Sequence, residues 1–128
     1  MKTSIRFFNK LEIRTVWDDV GTKWFFPVLD VVGAINNEEN YQRTRNYWKY
    51  LRSKLKKDGC QLVPATTKLK LRAHDGKLHL TNCVDFDGVV ALARAIPDSR
   101  ATAFLDWFIY SFEPRGSLRG SLRGRMYI

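Results

Sequence analysis

Thr44, Trp48, Leu51 and Leu55 recur at steps of four, three and four inside a segment otherwise crowded with cations. That spacing marks one face of an α-helix. From Asn40 to Gly59, twenty positions hold seven Lys/Arg residues and one acid, Asp58, with Tyr41, Tyr47, Trp48 and Tyr50 interleaved. A surface helix reconciles the two patterns. It docks through its Trp48/Leu51/Leu55 side and turns Arg43, Arg45, Lys49, Arg52, Lys54, Lys56 and Lys57 to solvent. Asn40 suits the N-cap, and Gly59 suits the left-handed position after the last turn.

The rest of the chain reads as short strands and helices. Ile5–Phe8 and Glu12–Trp17 have strand character, and the turn-forming run Asp18–Thr22 leads into Lys23–Phe26, so residues 11–26 are expected to form a β-hairpin. Pro27 suits a first helical turn, Val28, Leu29, Val31, Val32 and Ile35 supply an apolar face, and Asn36-Asn37 ends that helix. Lys68-Leu69-Lys70-Leu71-Arg72 alternates with period two, Asp75-Gly76 marks a turn, and Leu78-His79-Leu80 alternates again, giving a second hairpin. Asp85 or Asp87 can cap a helix carrying Val89, Val90, Leu92, Ala93 and Ile96, which Pro97 stops. Asp98 or Ser99 can cap a last helix that buries Ala101, Phe104, Leu105 and Phe108, with Trp107 at its flank. There is no regular βαβ alternation. The expected fold is therefore α+β: small antiparallel β-hairpins packed with about four helices, in a single compact domain over residues 1–112.

Charge narrows the choice of partner. The net charge of +9 is unevenly spread: residues 40–59 contribute +6, residues 66–80 +3 and the four arginines from Arg115 onward +4, which leaves −4 for everything else. Concentrated cations imply a directed anionic partner, with nucleic acid ahead of an acidic protein or an anionic membrane. No apolar run is long enough to span a bilayer, and the charged start, Met-Lys-Thr-Ser-Ile-Arg, does not read as a signal peptide. A cytoplasmic protein with Cys60 and Cys83 reduced is expected, nucleoid-associated if it binds DNA. After Glu113-Pro114, Arg-Gly-Ser-Leu occurs twice (Arg115–Leu118, Arg119–Leu122). Residues 113–128 read as a flexible basic tail, either an arm along a phosphate backbone or a disordered terminus or cloning remnant.

Several chemistries find no support. Cys60, His74, His79 and Cys83 are zinc-ligand types, but they lack the tight Cys-x2-Cys pairing of closed structural sites. The acids read as caps and turns, and no G-x-S-x-G, P-loop or G-x-G-x-x-G motif is present. Neither an enzyme nor a cofactor is expected. If the basic helix binds DNA, Arg43, Arg45, Lys49, Arg52, Lys56 and Lys57 are the candidate phosphate contacts, assisted by Lys68, Lys70 and Arg72 on the cationic strand. Base reading falls to Gln42, Arg43, Arg45 or Asn46. The plain alternative for both elements is a solvated surface.

Three ordered blocks carry a resemblance. Ile13-Arg14-Thr15-Val16-Trp17-Asp18-Asp19, followed by Lys23-Trp24-Phe25-Phe26-Pro27-Val28-Leu29-Asp30-Val31-Val32, resembles the opening of the Bro-N domain, the N-terminal domain of baculovirus repeated-ORF and phage antirepressor-like proteins. Tyr47-Trp48-Lys49-x-Leu51-x-x-Lys54-Leu55 and Ile96-Pro97-x-Ser99-x-Ala101-x-x-Phe104-x-x-Trp107 are similar to later parts of it. The resemblance implies a compact α+β domain that binds DNA and is commonly fused to a variable C-terminal domain in phage regulators. Similar domains occur in DNA-damage-inducible protein D and ahead of Fic-type modules. This chain ends soon after the matching blocks, so no effector domain is expected within it. The expected function is a DNA-binding domain of a phage- or mobile-element-type regulator. The alternative is an interaction module that sequesters a repressor or DNA-repair protein.

Overall fold

The computed structural model describes residues 2–57 and 66–112; Gly59, Cys60 and the Arg-Gly-Ser-Leu tail lie outside them. Strands β1 (Lys2–Phe8) and β2 (Leu11–Asp18) form a hairpin closed by Asn9 and Lys10, whose φ values of 50° and 70° are the two positive φ angles that a type I′ turn requires. The sequence pattern had missed this pairing, because lysine is not a usual residue at a left-handed position. The expected hairpin of residues 11–26 is also present. β2 pairs with β3 (Lys23–Pro27) through Val16–Phe25, Trp17–Trp24 and Asp18–Lys23. Asp18 tightens that turn by accepting a 3.0 Å bond from the Val20 amide.

Pro27 is the last residue of β3 and the cap of α1 (Val28–Asn36), so the helix starts one residue later than expected. The helix ends as predicted. Asn37 is left-handed (φ 53°), its amide bonds to the Ala34 carbonyl, and the Glu38 amide bonds to the Gly33 carbonyl at 2.9 Å. Helix α2 (Tyr41–Lys57) follows, with the Asn40 side chain accepting from the Arg43 amide at 2.9 Å. β4 (Thr67–Arg72) and β5 (Leu78–Val84) form the second hairpin, with Gly76 at φ 80° in its turn. Asp85 caps α3 (Phe86–Ala95) through the Gly88 amide, and Asp98 rather than Ser99 receives the Arg100 amide at the start of α4 (Arg100–Phe112).

The fold is α+β, as the sequence predicts, but the hairpins are not separate. They join into one five-stranded antiparallel sheet of order β1-β2-β3-β5-β4, linked through Phe26–Val84 and Pro27–Cys83. Helices α1, α3 and α4 cover one face. Phe26, Phe104, Phe108, Leu92, Val31, Val32 and Ile35 are sealed between the layers, and the Phe26 ring meets Phe108 and Phe112 edge-on at 5.0 and 4.9 Å. Phe104 is fully buried and Trp107 half-buried against Phe8, so both pack the core.

The opposite face has a small core of its own. Val16 of β2 meets Leu71 of β4 and Cys83 of β5 there, with Phe25 and Leu69 at the margin. β2 and β4 are separated by two strands in the sheet order, so this contact requires the sheet to coil strongly. An ion pair fastens the coil. The Arg14 guanidinium grips the Asp30 carboxylate with 2.9 and 3.0 Å bonds, and its remaining arm reaches the Arg72 carbonyl at 3.3 Å. Asp30 also accepts from the Arg14 amide at 2.9 Å, at the point where β2 has parted from β3. The hydrogen bond to Asp30 raises the Arg14 pKa further above its ordinary value, against the opposing effect of burial.

Candidate nucleic-acid interface

Helix α2 packs on α1, which in turn packs on the sheet, so α2 forms an outer layer of the molecule. The contact is close at one point: a Cβ on Gly33 of α1 would come within 3.4 Å of the Thr44 Oγ1 and 3.2 Å of the Glu38 carbonyl oxygen. Thr44, Trp48 and Leu51 are buried and Leu55 half-buried, as the stripe predicts. Every cation of the helix is exposed, and α2 contains no acid.

At about 100° per residue the exposed side chains sort into three rows. Arg45, Lys49, Arg52 and Lys56 follow one another at steps of four, three and four along one flank. Arg43, Tyr50, Lys54 and Lys57 occupy the other flank beside the half-buried Tyr47, and a shallow hollow there is lined by Tyr50, Ser53, Lys54 and Lys57. Between them, opposite the buried stripe, Gln42, Asn46 and Ser53 form an uncharged polar ridge. Gln42 donates to the Asn46 side-chain oxygen at 3.1 Å, which holds the two amides in line. Arg52 leans over the Trp48 ring at 5.9 Å, and Arg43 stands 3.9 Å from Glu38. Arg45, Lys49, Lys54, Lys56 and Lys57 have no carboxylate within salt-bridge distance among the described residues.

Lys68, Lys70 and Arg72 are exposed on a single face of β4. They share no close packing with α2: β4 pairs with β5, and α2 rests on α1. The two cationic sets therefore stand on different elements, and joint action of helix and strand is not visible in their packing. Facing the β4 cations across the ribbon are two residues that the alternation assigns to a strand but that the candidate binding residues do not include. Register pairs Lys70 with Leu80 and Arg72 with Leu78, and these leucines are 62% and 56% exposed. Lys54 and Ser53 were also absent from the candidate set, although a helical projection of the sequence suffices to find them.

Among the described residues, no group of three His, Cys, Asp or Glu side chains comes together as metal ligands. His79 pairs with Asp75 at 3.0 Å beside the β4–β5 turn, and Cys60 lies outside the described residues. Cys83 is a buried free thiol whose pKa burial pushes up to about 11. No described helix is long and apolar enough to cross a membrane. No protein-family model, curated protein or solved structure matches the chain. The likeness to the Bro-N domain thus rests on the three sequence blocks that carry it.

Proposed function

We propose that this chain is a non-enzymatic DNA-binding domain, antirepressor-like, of a phage- or mobile-element-type transcriptional regulator, and that α2 is its probe helix. The carrying observation is the order of rows on α2: cation, uncharged amide ridge, cation, with no acid on the helix. A helix about 10–12 Å across fits a major groove about 12 Å wide. Seated there, its two cationic flanks face the phosphates of opposite strands, and the Gln42/Asn46/Ser53 ridge faces base edges. Asn and Gln pair with adenine through two hydrogen bonds, so the ridge suits A·T-containing sites. Phosphate contacts supply most of the affinity in such a complex.

Fluorescence anisotropy of a labelled mixed-sequence duplex across a salt series tests this reading. With about six phosphate contacts, log K should fall against log salt with a slope of about −5. Absence of binding at low salt would sink it. One observation favours a second reading, a module that sequesters a repressor or DNA-repair protein. β1 is an edge of the sheet, and its outer face carries Ile5 and Phe7, 46% and 59% exposed. An open edge flanked by apolar side chains is suited to adding a partner's strand.

A further inference from the structure

One face of the β4–β5 ribbon enters the core at Val84 only and leaves its Leu78–Leu80 end uncovered. Alternation puts Lys68, Lys70 and Arg72 of β4 on the same face as Leu78, Leu80 and Asn82 of β5, because the register pairs Lys68–Asn82, Lys70–Leu80 and Arg72–Leu78. This is the face that the helices cover further along β5, where Val84 is buried against the Phe26 side of the sheet. At Leu80 and Leu78 the ribbon has run out from under the helix layer, and both side chains are left in solvent. The other face is already satisfied, since Leu71 and Cys83 are buried with Val16. Two leucines held in solvent beside three cations, with no acid among these six residues, form an apolar patch framed by positive charge.

We infer that this ribbon face binds duplex DNA, with Leu78 and Leu80 acting as apolar wedges against base steps and Lys68, Lys70 and Arg72 holding the phosphates beside them. The inference rests on the DNA-binding reading and adds a second contact element, on a part of the fold separate from α2. The charge of the patch selects a polyanion, and its leucines suit a surface that also offers apolar area. DNA does so when a base step is opened from the minor groove. The spacing agrees as well. Alternate residues on a strand lie about 6.8 Å apart, close to twice the axial phosphate spacing of about 3.4 Å on one DNA strand. Leu78 and Leu80 thus address steps two base pairs apart while the cations keep pace along the backbone. A leucine wedge kinks the duplex, so the site implies bent DNA in the complex.

The test uses the full chain and a short duplex labelled at its ends with a donor and an acceptor dye. Binding by the wild type should raise energy transfer between the ends. Leu78→Thr/Leu80→Thr keeps strand propensity and removes no charge. It should bind about tenfold more weakly, with the salt slope unchanged and the rise in energy transfer lost. Circular dichroism melts check the fold, and Leu80→Thr alone, at the more exposed position, carries the test if the double variant melts early. Wild-type binding without any change in energy transfer overturns the wedge. So does a double variant that binds and bends the duplex like the wild type while neutralisation of α2 weakens binding; that result leaves the α2 reading intact. Failure of the wild type to bind the duplex at low salt overturns both. If the leucine variant instead loses self-association in sedimentation, or loses binding to phosphatidylserine vesicles, with DNA bending unaffected, the patch serves another occupant and the inference falls.

Discussion

Replacing Lys49 and Lys56 by glutamine isolates the proposed electrostatic role of α2 from its structural one. Both side chains are exposed, stand in the same row, and have no carboxylate within salt-bridge distance among the described residues. Arg52, between them, is the wrong choice because its guanidinium lies over the Trp48 ring, and losing it disturbs the docked face. Glutamine keeps length and helix propensity, so thermal stability should stay within about 0.5 kcal/mol of wild type. Each lost phosphate contact removes about 0.9 from the slope of log K against log salt. The double variant should therefore lower the slope by about 1.8. The same exponent gives a loss of affinity of about 60-fold at 0.1 M salt, narrowing to about 3- to 4-fold at 0.5 M. The assay is anisotropy of a labelled duplex at five or more salt concentrations. Parallel lines, with affinity lost equally at all salts, would refute the counterion argument. Identical lines would remove the Arg45–Lys56 flank from the interface altogether.

Three further outcomes follow from named contacts. Asn46→Ala should leave the salt slope unchanged while reducing discrimination between A·T-containing and scrambled sites in competition binding, since it removes an uncharged amide from the ridge. Asp30→Ala strands the Arg14 guanidinium and amide in a half-buried position, where the two side chains are 24% and 15% exposed. It should cost about 2–4 kcal/mol in denaturant unfolding, and an unchanged midpoint would show that the coil of the sheet does not depend on this pair. Burial raises the Cys83 thiol from 9.0 to about 11, so the folded state prefers the protonated form. Its contribution to stability is complete below pH 9 and is lost as pH rises from 9 toward 11. Chemical unfolding of Cys83→Ala should lack that component of the alkaline decline.

Much of the helix pattern was legible because its determinants are local. The Thr44/Trp48/Leu51/Leu55 stripe, the Asn40 and Asp85 caps and the Asn37 stop each act over a turn or two of chain, so spacing alone specifies them. The sorting of α2 into two cationic flanks and an amide ridge follows from the same period, and needed only a finer projection. Turn chemistry revealed the Asp75-Gly76 hairpin, whereas Asn9-Lys10 was missed because its left-handed lysine departs from the usual signal.

What the residues determined by themselves, then, was which segments form helices and strands, and that one helix docks on one side while offering cations on the others. Tertiary structure decided how the strands associate and which of their faces stay in water. Two residue pairs, Phe26–Val84 and Pro27–Cys83, fuse distant hairpins into one sheet, and no short-range pattern encodes them. A period of two fixes that Leu78 and Leu80 share a face, but not whether that face is covered. The answer depends on where the helix layer ends, beyond Val84 and short of Leu80, and on the coil that buries Leu71 against Val16 instead. Burial is a property of the assembled layers, and so the exposed leucine–cation ribbon could be read only from the folded chain.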